Sequence, residues 1–270
     1  MHINHQYLLD LAFKLHQAVP GLRFLDYGCG KGELAEAGRR MGLDAHGADI
    51  FYAANPESRE ELKAKGALGH YIHEIINQRT PFEDDSFDVV VSNMVFEHVE
   101  DLEAVSTEIY RVLKPGGYLV AGFPTLECWR EGHIGIPFAH WFAKGSKARH
   151  LYVLVLRTLG LGMFKTAPPR EWVQERLNYL DIYTHYRSRR KIKEIISNHF
   201  SVQWMEGHYA VFRLDRSRAR KLSALLAINP TRWMGVQVFR RLGFSLLLAR
   251  KEGDGIPVEK APWKGWITKW

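Results

Sequence analysis

Residues 24–32 read FLDYGCGKG, with an apolar run, Leu22–Tyr27, before three alternating glycines and a helical pattern, Glu33–Met41, after them. Glycine suits such a strand-to-helix junction for two reasons: it adopts positive φ without cost, and it lets a ligand approach the backbone where a Cβ would stand. A G-x-G-x-G run alone is weak evidence, since an ordinary turn can carry it. Its surroundings sharpen it. Asp26 ends the first apolar run, and Asp49 lies 21 residues beyond Gly28, at the end of the next one. An acidic residue there can accept hydrogen bonds from both hydroxyls of a ribose, which points to an adenosine-type ligand.

Asp26 narrows the choice. A dinucleotide site places a pyrophosphate at the helix N-terminus, and a carboxylate beside it would repel that group. A ligand carrying an ammonium and a sulfonium suits the position better, which favours S-adenosylmethionine over NAD.

Outward from this loop, the first half alternates apolar runs with helical patterns, the signature of a parallel sheet covered by helices. A helix over 5–18 comes first. Strands follow at Leu22–Tyr27, Ala45–Ile50, weakly near 69–76, at 87–96 and at Tyr118–Phe123. Asn55-Pro56 reads as the opening of one helix, and Asp101 as the cap of another over Leu102–Val112. The second half is less regular. Residues 124–185 are too long for a simple crossover and read as a partly helical insertion. A basic helix over Tyr186–Asn198, a strand over Phe200–Tyr209, helical residues 214–241 and a strand over 243–251 would then complete the sheet. The expected fold is α/β, a doubly wound, mostly parallel seven-stranded Rossmann-like sheet with helical insertions. The expected division is a cofactor-binding core over 1–125, a lid or acceptor insertion over 126–185, and a C-terminal completion over 186–252. That last part contains a basic helical insertion near 213–241, and 253–270 form a tail.

Four segments in order, FLDYGCGKG (24–32), GADI (47–50), PFEDDSFDVVVSNMVFEHV (81–99) and LKPGGYLV (113–120), make the chain resemble the class I S-adenosylmethionine-dependent methyltransferases of the type 11, small-molecule kind. The resemblance implies S-adenosylmethionine as cofactor and S-adenosylhomocysteine as product. It assigns the methionine moiety to Asp26, Gly28, Gly30 and Gly32, the ribose to Asp49 with Ile50 beside the adenine, and the rest of the site to Ser92 and Asn93. The family usually has an acidic residue after the third strand. Here the segment is EIINQRTPF (74–82), and Asn77 is the loosely matching acceptor for the adenine amine.

Methyl transfer is an in-line displacement, so orientation does much of the work, and an oxygen or nitrogen acceptor often needs a base. Three of the thirteen histidines are candidates: His98 in FEHV, and His133 and His140 in EGHIGIPFAHW within the insertion. No H-E-x-x-H, C-x-x-C or paired carboxylate cluster is present, so no metal is expected. Two cysteines are too few for a disulfide framework and suit a reducing compartment.

The charge is unevenly spread. The first 125 residues hold 11 basic against 19 acidic side chains; the remainder holds 26 against 11. The basic half, with apolar segments 151–165 and 216–241, suggests peripheral contact with an anionic membrane surface. The resemblance leads to an expected methyl transfer, on oxygen, to a small-molecule or glycan-type acceptor, lipid-linked as one form of it. Neither a signal peptide nor a run of ~20 apolar residues is seen, so the expected location is cytoplasmic, at most peripheral at the inner membrane face. An RNA or protein methyltransferase stands as the alternative, with nucleic acid ranked behind a small molecule because Ser92-Asn93-Met94-Val95 lacks an N/D-P-P-Y/F motif. A non-catalytic S-adenosylmethionine-binding partner protein ranks third.

Overall fold

The computed structural model describes residues 2–51, 56–165, 167–217 and 231–256. The core is a seven-stranded sheet with strands β1 (Arg23–Tyr27), β2 (Asp44–Asp49), β3 (Ile72–Glu74), β4 (Phe87–Asn93), β5 (Leu113–Phe123), β6 (Ser201–Trp204) and β7 (Ser245–Arg250). Their order is β3-β2-β1-β4-β5-β7-β6. The first five are parallel, and β7 runs antiparallel between β5 and β6. This is the doubly wound, mostly parallel α/β sheet that the alternating pattern predicts, completed late in the chain by the antiparallel pair.

Parallel strands buried on both faces need helices on both sides. One face packs α1 (Ile3–Ala18) and α8 (Glu206–Asp215), with Tyr7, Leu8, Leu11, Leu15, Tyr209 and Phe212 meeting Phe24, Val89, Val91 and Val120. The other face packs α4 (Leu102–Val112) and α7 (Arg189–Ile196) on Leu25, Val90, Leu119 and Leu247. Alternate residues of each strand therefore serve opposite cores. Asp101 caps α4 as expected, accepting from the Ala104 N–H at 3.0 Å. The cap expected at Asn55 lies outside the described residues.

Between β5 and α7 the chain builds a separate small core. A short 3₁₀ turn (Ala139–Trp141), α5 (Lys147–Thr158) and α6 (Pro169–Tyr183) enclose Ile134, Ile136, Val153, Trp172, Val173 and Leu180. α2 (Glu33–Arg40), α3 (Pro56–Ala64) and α9 (Thr231–Leu242) are the remaining helices among the described residues. No described helix is long and apolar enough to cross a membrane.

One element differs from its expectation. The strand read over Phe200–Tyr209 ends at Trp204, and α8 begins at Glu206. Glu206 is buried and pairs with Arg189, while the buried Tyr209 packs edge-on against Tyr7 of α1. Both partners are distant in sequence, so local alternation of apolar residues misreads the segment. Of the helical stretch read over 214–241, residues 218–230 lie outside the described residues.

Candidate active site

The glycine loop turns at the C-terminal ends of β1 and β4, where an open parallel sheet forms its ligand crevice. Gly28 and Gly30 have φ of +81° and +52°. A Cβ on Gly28 would stand 2.3 Å from Cγ2 of Val95, so only glycine lets the segment after β4 close over the loop. A Cβ on Gly30 would meet nothing within 4 Å. There the backbone faces open space, as a ligand-accepting loop requires. The loop is anchored to β2: Gly28 and Cys29 both donate N–H bonds to the Ala48 carbonyl, at 2.7 and 3.1 Å. Asp49 completes the anchor, accepting from the Gly30 N–H at 2.7 Å and from the Phe51 N–H at 2.9 Å. Each carboxylate oxygen keeps a lone pair for a further donor.

Asp26 is buried at the end of β1. Burial, with a smaller contribution from the charge of Asp49, pushes its carboxyl up to about 8. A second cation-seeking carboxylate in this position is costly without a ligand and favourable with a cationic one. These residues therefore fit S-adenosylmethionine, whose ammonium and sulfonium answer the negative field, and they do not fit a pyrophosphate. Gly32 ends the loop as the cap of α2 in a left-handed conformation.

On β4, Ser92 is almost fully buried, and its hydroxyl has no protein partner. Asn93 accepts a bond of 3.0 Å from the side chain of Asn4, which in turn accepts from the Tyr209 hydroxyl. Asn4 and Tyr209 thus reach the site from α1 and α8, and no motif announces either. Ile50 is exposed beside Asp49. Asn77 and Gln78 both have positive φ, in a tight exposed turn closed by Ile76 and Arg79. Asparagine tolerates that conformation, which gives Asn77 a local reason to be there.

His98 and His133, 35 residues apart, come together. His98 follows Val95 in a turn in which its N–H donates to the Val95 carbonyl at 2.8 Å, three residues past the side chain that covers Gly28. Its Nδ1 bonds the Tyr183 carbonyl at 2.6 Å, and its Nε2 lies 3.3 Å from the Nε2 of His133. His133 Nδ1 bonds the buried Glu131 at 2.7 Å. Glu131 also accepts from the Tyr186 hydroxyl at 2.5 Å and from the N–H groups of His133 and Ile134. Burial raises the carboxyl of Glu131, but these donors outweigh it and hold the group below its ordinary value. Burial lowers His98 and raises Glu97, the latter to about 8. His140 is set apart: it is buried, with its ring 4.7 Å from that of Tyr186. The signal that could have found Glu131 is an acid two residues ahead of a histidine in EGH.

Known proteins share the fold. A family described as "Methyltransferase domain" matches residues 25–121. The ubiquinone biosynthesis O-methyltransferase of Cereibacter sphaeroides is 39% identical over 105 residues, which are 37% of this chain and 40% of that protein. The malonyl-[acyl-carrier protein] O-methyltransferase of Serratia marcescens is 29% identical over 228 residues, covering 79% of this chain and 75% of its own. The chain spans between 40% and 55% of the length of the ubiquinone biosynthesis enzymes it matches. Among solved structures, an S-adenosylmethionine-dependent methyltransferase from Mesorhizobium loti has the same fold, with a TM-score of 0.50, 19% identity and coverage of 90% of this chain and 100% of that one. Residues 25–121 thus carry a methyltransferase domain, within a sheet that has the fold of an S-adenosylmethionine-dependent methyltransferase.

Proposed function

We propose that the protein transfers a methyl group from S-adenosylmethionine to an oxygen of a small, apolar or lipid-linked acceptor. The observation that carries the cofactor half is the joint between Gly30 and Asp49, set beside the buried Asp26. When bound, the cofactor supplies an electrophilic methyl group. Asp49 would hold the ribose, Asp26 the ammonium through its negative field, and the backbone of 28–32 the methionine chain, with Ser92 and Asn93 completing the wall and Asn77 standing beyond β3 towards the adenine. Relatives named as O-methyltransferases favour oxygen as the acceptor atom, beside others named as C-methyltransferases.

The insertion supports the acceptor half. His133 reaches from it to His98 in the segment after β4, so an acceptor bound beneath the insertion would be covered from water. The outer face of α5 and its exit are apolar and exposed at Leu151, Val155, Leu159 and Phe164, with Lys147 and Lys165 at its two ends. An amphipathic face of this kind can rest on an anionic lipid surface, apolar side chains inward and cations at headgroup level. That favours a lipid-linked acceptor over a free glycan.

The test is incubation with labelled S-adenosylmethionine and fractions of a cell extract, read by mass spectrometry. Label in an organic-extractable small molecule supports the proposal. Label in RNA or protein replaces it with the alternative reading.

A further inference from the structure

We propose that Glu97, His98 and His133 bind one divalent metal ion of the zinc class, held on the two facing Nε2 atoms and a Glu97 carboxylate oxygen. The ligand atoms of the three residues lie within 4.8 Å of one another, and the group is the only such cluster among the described residues.

Hydrogen-bond bookkeeping carries the argument. A carbonyl oxygen can only accept, so the bond to Tyr183 puts the ring hydrogen of His98 on Nδ1. Glu131 is an acceptor in the same way, with its other contacts all donors, so His133 also carries its hydrogen on Nδ1. In the neutral rings both Nε2 atoms are then lone pairs, and they face each other at 3.3 Å. Two lone pairs do not sit at that distance without something positive between them. A shared proton would satisfy the two rings but leave Glu97 unanswered: it is 2% exposed, and neither carboxylate oxygen has a partner. A cation answers all three.

The geometry suits zinc. With zinc–nitrogen bonds of about 2.0–2.1 Å, a nitrogen separation of 3.3 Å corresponds to an angle of roughly 105–110° at the metal, close to tetrahedral. The surroundings suit it as well. Metal-binding histidines almost always donate their other ring N–H to a carboxylate or a backbone carbonyl, which fixes the ring and its tautomer. Glu131 and the Tyr183 carbonyl do this for the two rings. Two imidazoles with one carboxylate favour zinc or a neighbouring transition ion over magnesium, which prefers six oxygens. Three protein ligands leave a fourth position, the pattern of a reactive rather than a structural site. On the methyltransferase reading, an acceptor hydroxyl taken there would give its proton to solvent near neutral pH. Metal binding itself does not depend on that reading. Spacing gives no hint of the site, because its third ligand comes from the insertion 35 residues later.

The test uses the whole chain, stripped with chelator and titrated with Zn²⁺ alone, then loaded with Co²⁺ for its visible spectrum. One Zn²⁺ per chain is expected, with the intense bands of four-coordinate cobalt. His133→Ala and Glu97→Gln should each weaken Zn²⁺ at least tenfold, and Glu131→Gln about 10–100-fold as a group that orients a ligand. S-adenosylhomocysteine affinity, measured on each variant, reports that the fold is kept. Should Glu97→Gln not fold, the half-buried His133 carries the test. No uptake of Zn²⁺ by the folded protein, or uptake unchanged in both His133→Ala and Glu131→Gln, would overturn the proposal and leave a shared proton between the rings.

Discussion

The Gly30 N–H donates to Asp49 Oδ2 at 2.7 Å, so the residue assigned to the ribose also fixes the shape of the loop assigned to the methionine. One carboxylate would then couple two halves of the proposed binding site. Asp49→Ala removes the ribose acceptor and frees the loop together. Loss of hydrogen bonds to a charged group implies a weakening of about 1.5–3 kcal/mol, roughly 10–150-fold, in S-adenosylhomocysteine binding by calorimetry. Asp49→Asn keeps one oxygen acceptor and should fall between the two.

Asp26 sets a pH dependence. Its carboxyl lies at about 8 in the ligand-free fold, far above its unfolded value, because burial and the charge of Asp49 oppose ionisation. A raised carboxyl contributes stability that is complete below about pH 4 and is lost as pH rises through 8. A cationic ligand reverses the preference and drives the proton off. Affinity for S-adenosylhomocysteine should therefore rise between pH 6 and 8, with proton release visible as a buffer-dependent binding enthalpy at pH 7. Asp26→Asn should abolish that release and raise the melting temperature of the ligand-free protein at pH 8.

His133 and His140, neighbours in the segment EGHIGIPFAHW, separate in the structure. His133 meets His98 and Glu131, whereas His140 packs on Tyr186 inside the insertion. His133→Ala should lower turnover at least tenfold and leave cofactor binding within about twofold. His140→Ala should show chiefly as lost stability, about 1–3 kcal/mol for an aromatic contact and its cavity, read by thermal melting.

The outward face of α5 gives a third kind of test. Leu151 and Leu159 are 62% and 70% exposed on an element whose opposite side buries Val153. Co-sedimentation with anionic vesicles should be strong at low salt, weaken with added salt, and be lost in Leu151→Glu/Leu159→Glu. Neutral vesicles should bind less. The companion segment at 216–221 lies largely outside the described residues, so Arg218, Arg220 and Lys221 test the same contact independently when replaced by Glu.

Local rules carried most of the sheet and the placement of the glycine loop beside it. Strand runs, the glycine loop, Asp49 and the Asp101 cap all depend on neighbours a few residues away, and each is where the pattern put it. What depends on distant partners was hidden. Asn4 meets Asn93 across 89 residues, Glu206 answers Arg189, and Glu131 orients a histidine that faces another helix's carbonyl-bound ring. The end of β6 and the start of α8 around Met205 follow from those contacts and from no periodicity. The pairing of His98 with His133 is legible only as two candidates, because spacing cannot say which histidine of the insertion folds back.

The most direct test of the central claim is methyl transfer itself, with S-adenosylmethionine labelled on its methyl group and extract fractions as acceptors. The account predicts one labelled, organic-extractable small molecule, formed in step with S-adenosylhomocysteine and lost in Asp49→Ala. Tight cofactor binding with no labelled product from any fraction, or preference for NAD over S-adenosylhomocysteine, would contradict it.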